Sequence, residues 1–151
     1  MSLKIPYQKQ ENDYYCGPAV LSMALGYFGK KISQKEIAKI TKTKPPPYGT
    51  RNSEIVKFPK KFGFKSVVKK NATIKDIEES LKKKYPIIVN YVEPEDEIGH
   101  FAIVKGLTKN KIILYDPWHG PSFSLERKDF LKRWHNHRNT IKRWILKIYP
   151  K

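Results

Sequence analysis

Gln10-Glu11-Asn12-Asp13-Tyr14-Tyr15-Cys16-Gly17-Pro18-Ala19-Val20-Leu21 joins a polar run to an apolar one, and the junction holds the only cysteine of the chain. Proline suits the first turn of a helix, where its missing N–H is not needed. From Val20 onward Val20, Leu21, Ala24, Leu25 and Phe28 recur at helical spacing. The spacing predicts a buried helix that begins at Cys16 and puts the thiol at the positive end of the helix dipole, where a nucleophilic thiolate is favoured. A lone cysteine is more often a small buried hydrophobe, so its meaning depends on what the rest of the chain brings to it.

The 151 residues are enough for one domain with a sizeable core, and one domain over 1–151 is expected. A single cysteine excludes an intramolecular disulfide and a multi-cysteine metal site. No apolar h-region of a signal peptide follows Met1, and runs such as Pro86-Ile87-Ile88-Val89 are too short to span a bilayer. A soluble, cytoplasmic protein is expected. Charge is lopsided, with 31 Lys+Arg against 14 Asp+Glu and a formal net charge of +17. Such a surface attracts polyanions at low salt. The lysines are scattered, however, as Lys30-Lys31, Lys60-Lys61, Lys69-Lys70 and Lys82-Lys83-Lys84, and no zinc-finger spacing or RNP motif accompanies them. The expectation is at most weak, non-specific nucleic-acid binding.

Along the chain, helical patterns come first. Gly29 is a stop signal for the first helix. Ser33-Gln34-Lys35-Glu36 has the form of a capping box opening a short helix through Ile37 and Ile40. Lys44–Thr50, with three consecutive prolines, is a surface loop. Asn52 or Ser53 is the expected cap of a third helix carrying Ile55 and Phe58, which Pro59 shortens or kinks. Phe64–Lys70 reads as a strand, and Thr73-Ile74-Lys75-Asp76 opens a further amphipathic helix. The pattern then turns to strands at Pro86–Val92, His100–Val104, Lys111–Tyr115 and Trp144–Tyr149, with a helix over Leu125–Trp134. Helices followed by neighbouring strands indicate an α+β fold, the N-terminal helix bearing Cys16 packed on an antiparallel sheet.

A thiol nucleophile needs a base within hydrogen-bond reach and a third group to orient that base. His100 opens a strand and can emerge at a sheet edge, whereas His119, His135 and His137 sit in polar, loop-like contexts that read as surface. Asp116 closes the next strand. A hairpin through Gly106-Leu107-Thr108-Lys109-Asn110 brings the start of one strand beside the end of the other, and with them His100 beside Asp116. Asp116-Pro117 taken alone is equally an ordinary turn initiator.

Together these segments carry a family resemblance. Gln10 lies six positions before Cys16-Gly17-Pro18-Ala19, and Tyr27-Phe28-Gly29 closes the helix. Gly99-His100-Phe101-Ala102-Ile103-Val104-Lys105-Gly106, Tyr115-Asp116-Pro117-Trp118-His119-Gly120 and Phe130-Leu131-Lys132-Arg133-Trp134 follow in order. The chain resembles the papain-like cysteine peptidases that process double-glycine leaders of bacteriocins, peptidase family thirty-nine, and especially their free-standing members. That resemblance implies a papain-like cysteine peptidase fold and a role for each matched residue. Cys16 attacks, His100 is general base and acid, Asp116 orients His100, and Gln10 supplies an oxyanion-hole donor. Gln8 is the competing glutamine, and only Gln10 has the family spacing. The chain departs from transporter-linked members at Tyr15, where they usually carry Asp.

The reaction implied is cleavage of a peptide or amide bond through a Cys thioester, without cofactor or metal, on a peptide or protein substrate. Two rivals stand beside it. An amine can resolve the same thioester, giving an acyltransferase or peptide ligase; alternatively the basic surface serves a non-catalytic binding module, which has no need of Gln10, Cys16, His100 and Asp116 together.

Overall fold

The structure is a computed structural model that describes residues 2–151. In chain order its elements are α1 (Cys16–Tyr27), α2 (Gln34–Ile40), α3 (Asn52–Lys60), β1 (Phe64–Lys69), α4 (Ile74–Lys82), β2 (Ile87–Val92), β3 (Gly99–Leu107), β4 (Lys111–Asp116), β5 (Gly120–Glu126), α5 (Arg127–Arg133) and β6 (Ile145–Pro150). The fold is α+β. Its six strands form one sheet in the order β1-β6-β2-β3-β4-β5, and every neighbouring pair is antiparallel.

Burial explains the arrangement. Every residue of α1 from Gly17 to Leu25 is buried, as expected of a helix that is apolar on all sides. It runs through the centre of the molecule, against β3 on one side and α2 and α3 on the other. The strands β2, β3 and β4 supply Ile87, Ile88, Val89, Ala102, Ile103, Val104, Ile112 and Leu114 to the same core. Gly29 has φ +83°, a left-handed conformation that costs glycine little and lets the chain leave α1 sharply. Ser33 caps α2 by accepting a bond from the Glu36 N–H, and Thr73 with Asp76 completes a reciprocal capping box on α4.

Four sequence expectations need correction. Arg51, not Asn52 or Ser53, occupies the cap of α3, and the helix continues through Pro59 for one residue; near a C-terminus a proline disturbs few remaining bonds. The helix expected over Leu125–Trp134 begins only at Arg127, because Gly120–Glu126 is an additional edge strand. In β5 only Phe123 and Leu125 turn inward and both stay half-buried, so its alternation is faint. His100 does not emerge at a sheet edge: β3 is an interior strand between β2 and β4, and His100 is buried at its start. Finally, His119 is not a surface residue, since only 12% of its side chain is exposed.

The N-terminal segment is fastened along the end of the β3–β4 pair. Leu3 N–H donates to the Lys105 carbonyl (2.9 Å) and Ile5 N–H to the Tyr115 hydroxyl (3.2 Å). The Tyr7 hydroxyl donates to the Asp116 carbonyl (2.6 Å), and Gln10 N–H to that of Pro117 (2.9 Å). These bonds deliver Gln10 to the turn that follows Asp116.

Candidate active site

Cys16 is the first residue of α1 and is half-buried. No side chain caps this helix end and its first turn carries no acidic residue, so the positive end of the dipole is left uncompensated at the thiol. The bend that enters the helix is shaped by Asn12, whose side-chain oxygen accepts from the Tyr14 N–H (3.1 Å). Gly17 is required next to the thiol. A β-carbon there would lie 2.5 Å from Thr50 Oγ1 and 2.8 Å from Thr50 Cβ. Thr50 is itself held, its hydroxyl bonded to Thr43 at 2.6 Å, which bonds to Thr41 at 2.9 Å.

His100 and Asp116 come together across the β3–β4 hairpin. His100 Nε2 lies 2.8 Å from Asp116 Oδ1, which leaves the other ring nitrogen, Nδ1, for a second partner. Burial alone would strip His100 of its proton, but the hydrogen bond to Asp116 and then the hydrogen bond and charge of Cys16 outweigh it, and its pKa is pushed up to about 10. For Asp116, burial favours the neutral acid. The hydrogen bond and charge of His100, followed by the Tyr91 hydroxyl and the His119 N–H, hold the carboxyl below its usual range. The carboxylate is fully buried. Its Oδ1 also accepts the backbone N–H groups of Trp118 and His119, both at 2.9 Å, so Asp116 orients His100 and initiates its own turn. Behind the ring, Asn90 Nδ2 donates to the His100 carbonyl at 3.1 Å and is itself met by Asn52.

Gln10 is buried, and its Nε2 donates to the Asn12 carbonyl at 2.9 Å. Its Oε1 is buried with no partner among the described residues. Gln8 is committed elsewhere: its Nε2 donates to Ser22 Oγ (2.8 Å) and its Oε1 accepts from Gln34 Nε2 (3.1 Å), tying the N-terminal segment to α1 and α2.

Sequence reasoning passed over three neighbours. Tyr91 is fully buried and its hydroxyl donates to Asp116 Oδ2. His119 stacks on Phe123 with ring centroids 4.3 Å apart, and its ring centre is 6.3 Å from that of His100. Glu93 bonds His119 Nε2 at 2.9 Å and accepts backbone N–H groups of Glu95, Asp96 and Ile98, so it organises the β2–β3 loop while pairing with His119. Glu95 stands 3.7 Å from the other ring nitrogen, Nδ1. Glu93, Glu95 and His119 are near enough to one another to suggest metal ligands. With the carboxylates at opposite ring nitrogens, however, they bracket the imidazole and do not make a tripod around one ion. Only the pairing of Glu93 with a histidine, both polar and flanking strand ends, offered a sequence signal. His135 and His137 lie outside this cluster, His137 Nδ1 accepting the Gly99 N–H at 3.3 Å.

The family model described as Peptidase_C39 like family matches residues 2–142. The chain belongs to that family. Membership places it among cysteine peptidases. The transport/processing ATP-binding protein ComA of Streptococcus pneumoniae is 27% identical over 130 residues, covering 85% of this chain. The chain spans 17% of that relative's length. Among solved structures, the peptidase domain of Streptococcus ComA has a TM-score of 0.78 at 24% identity and covers 98% of each chain. A C39-like peptidase from Bacillus anthracis gives 0.75 at 15% identity, covering 98% of this chain and 96% of its own. A double glycine motif protease from an AMS/PCAT transporter, solved with its leader peptide, gives 0.72 at 19% identity over 99% and 94%. These structures share the fold described above. Among the described residues no helix is long and apolar enough to cross a membrane.

Proposed function

We propose that this family member cleaves a peptide bond through a thioester on Cys16, with His100 as general base and acid, Asp116 orienting His100 and Gln10 assisting at the oxyanion. The observation that supports the reading is the convergence of an uncapped helix N-terminus bearing a thiol with a buried imidazole whose far nitrogen is bonded to a fully buried carboxylate. The thiolate of Cys16 attacks the scissile carbonyl carbon, and the negative charge moves to the carbonyl oxygen. Backbone N–H groups at the start of α1, with the second Nε2 proton of Gln10, are suited to hold that oxyanion; losing one such donor typically costs about 3–4 kcal/mol in the barrier. As the C–N bond breaks, the Nδ1 proton of His100 passes to the leaving amine. His100 then takes a proton from water, which attacks the thioester; the C–S bond breaks, the carboxylic acid leaves, and the Cys16 thiolate and His100 imidazolium are restored.

The substrate class in this reading is a peptide carrying a double-glycine leader, by analogy with the relative solved with its leader peptide. Residues 1–151 act as one peptidase domain. A cytoplasmic location suits it, because reducing conditions keep a lone catalytic thiol free.

The test is to incubate the protein with a synthetic double-glycine leader peptide, with and without added amine, and identify products by mass spectrometry. Hydrolysis at the Gly-Gly carboxyl side that disappears in Cys16→Ala is expected. A product joined to the amine would favour acyl transfer, and cleavage surviving in Cys16→Ala would refute the reading.

A further inference from the structure

We infer that Tyr91 is a positioning residue of this site, keeping Asp116 ionised and aimed at His100 through its hydroxyl. The inference rests on the catalytic reading of Cys16 and His100 given above. In the antiparallel register Tyr91 on β2 stands directly opposite His100 on β3. Its ring meets the imidazole edge-on, with centroids 5.8 Å apart at 70°, and the hydroxyl reaches past it to Asp116 Oδ2.

The two oxygens of the Asp116 carboxylate have separate partners. Oδ1 receives His100 Nε2 and the N–H groups of Trp118 and His119. Oδ2 receives Tyr91, and no second hydrogen-bond donor meets it among the described residues. Asp116 is 0% exposed, so bulk solvent does not reach this oxygen. A buried carboxylate oxygen without a donor favours protonation of the acid. The titratable groups around Asp116 and its two side-chain partners come from every element nearby: Tyr7 from the N-terminal segment, Tyr91 from β2, His100 from β3 and the N–H groups of the turn after β4 meet Asp116 itself, Cys16 from α1 acts on His100 and Tyr91, and Glu93 with its partner His119 lies beyond them. Of these, only His100 and Tyr91 reach the carboxylate with side-chain donors. The phenol is held neutral, its pKa raised first by burial and then by the charge of Asp116, so it remains a donor across the working pH range.

Removing the hydroxyl therefore makes Asp116 take up a proton at higher pH. Once Asp116 is neutral, the imidazolium of His100 loses its counter-ion, and the cation that supports Cys16 as a nucleophile is weakened. The acid side of Cys16 reactivity then moves toward neutrality.

The experiment is the pH profile of iodoacetamide alkylation of Cys16, read by intact mass, in the unaltered protein and in Tyr91→Phe. It needs no peptide substrate, so it reads the inference even if no peptide is cut. The expected result is an acid limb displaced upward by about one pH unit, a tenfold change in proton affinity, with no such displacement when Tyr91→Phe is made in an Asp116→Asn background. A drop in rate that is uniform across pH, with the limb unmoved, would make Tyr91 a packing residue only and overturn the inference. A second measurement, on the unaltered protein and on Asp116→Asn, stands beside it should Tyr91→Phe not fold. The Tyr91 hydroxyl proton should give a slowly exchanging, downfield proton resonance that moves upfield in Asp116→Asn, and a resonance indifferent to that change would overturn the inference equally.

Discussion

The two glutamines before Cys16 differ in what they are bonded to, and that difference separates stability from turnover. Gln8 joins Ser22 to Gln34, whereas Gln10 carries a buried oxygen without a partner among the described residues. Truncating Gln8 removes two hydrogen bonds, each contributing about 1 kcal/mol. Truncating Gln10 removes one hydrogen bond, to the Asn12 carbonyl, but also an unpaired acceptor whose burial is itself unfavourable, and the two offset. Gln8→Ala is expected to lower the melting temperature while leaving turnover near normal. Gln10→Ala should leave the melting temperature unchanged or raised and slow peptide cleavage by about a hundredfold. Melting curves and steady-state cleavage on both variants check this, and the reverse pattern would assign the oxyanion role to Gln8. At this scale the candidates Cys16, His100 and Asp116 could be read from the chain, because each lies at the end of a strongly patterned element; Gln10 lies outside any helix or strand and was reached only through the family spacing. Tyr91 could not. Its position inside the apolar run Ile87-Ile88-Val89-Asn90-Tyr91-Val92 reads as core, and its partner Asp116 is distant in sequence and becomes visible only when β2, β3 and β4 are laid side by side.

At the scale of elements, the site depends on how closely α1 approaches the loop before α3. Gly17 lies against Thr50, with no room for a methyl group. In an isolated helix Gly→Ala is favourable by about 1 kcal/mol, but here the clash with an anchored threonine prevails. Gly17→Ala should destabilise the fold by about 1–3 kcal/mol and displace Cys16 from His100. Urea unfolding and Cys16 alkylation rates measure the two effects, and a variant as stable and as reactive as the parent would contradict this packing. Elements with strong periodicity were legible: α1, β2, β3, β4 and β6 each begin and end within a few residues of where the pattern places them. β5 escaped because an edge strand has a solvated face, and its two half-buried side chains give little contrast. His119 was misplaced for a related reason. It follows a turn signal, yet the tight turn folds it back onto Phe123 and Glu93, a tertiary contact that local polarity does not report.

Over the whole molecule, buried charge and net charge set how the protein responds to its medium. Asp116 and Glu93 have lowered pKa values in the fold, so their contribution to stability is present above about pH 4.5 and is lost as pH falls through the folded values. His100 is raised to about 10. Its contribution is complete below about pH 6.5 and fades as pH climbs toward 10. Because the +17 charge adds a repulsion of its own, the informative quantity is the difference in melting temperature between the parent and His100→Gln. That difference should be largest near pH 6 and shrink by pH 10; a difference that grows over this interval would contradict the assignment. The same net charge should bind DNA weakly, without sequence preference, with release between about 50 and 200 mM salt. Fluorescence anisotropy over a salt series tests that, and sequence-selective binding at physiological salt would favour the binding-module reading instead.

For Cys16 to act as proposed, folding must turn an ordinary thiol into a nucleophile by gathering residues 16, 100 and 116. The rate of Cys16 alkylation by iodoacetamide at neutral pH, compared between the native protein, the urea-unfolded chain and native His100→Ala, tests it most directly. The native protein is expected to react faster than the unfolded chain, and His100→Ala to lose this advantage. A thiol that reacts only after unfolding, or that is indifferent to His100, would contradict it.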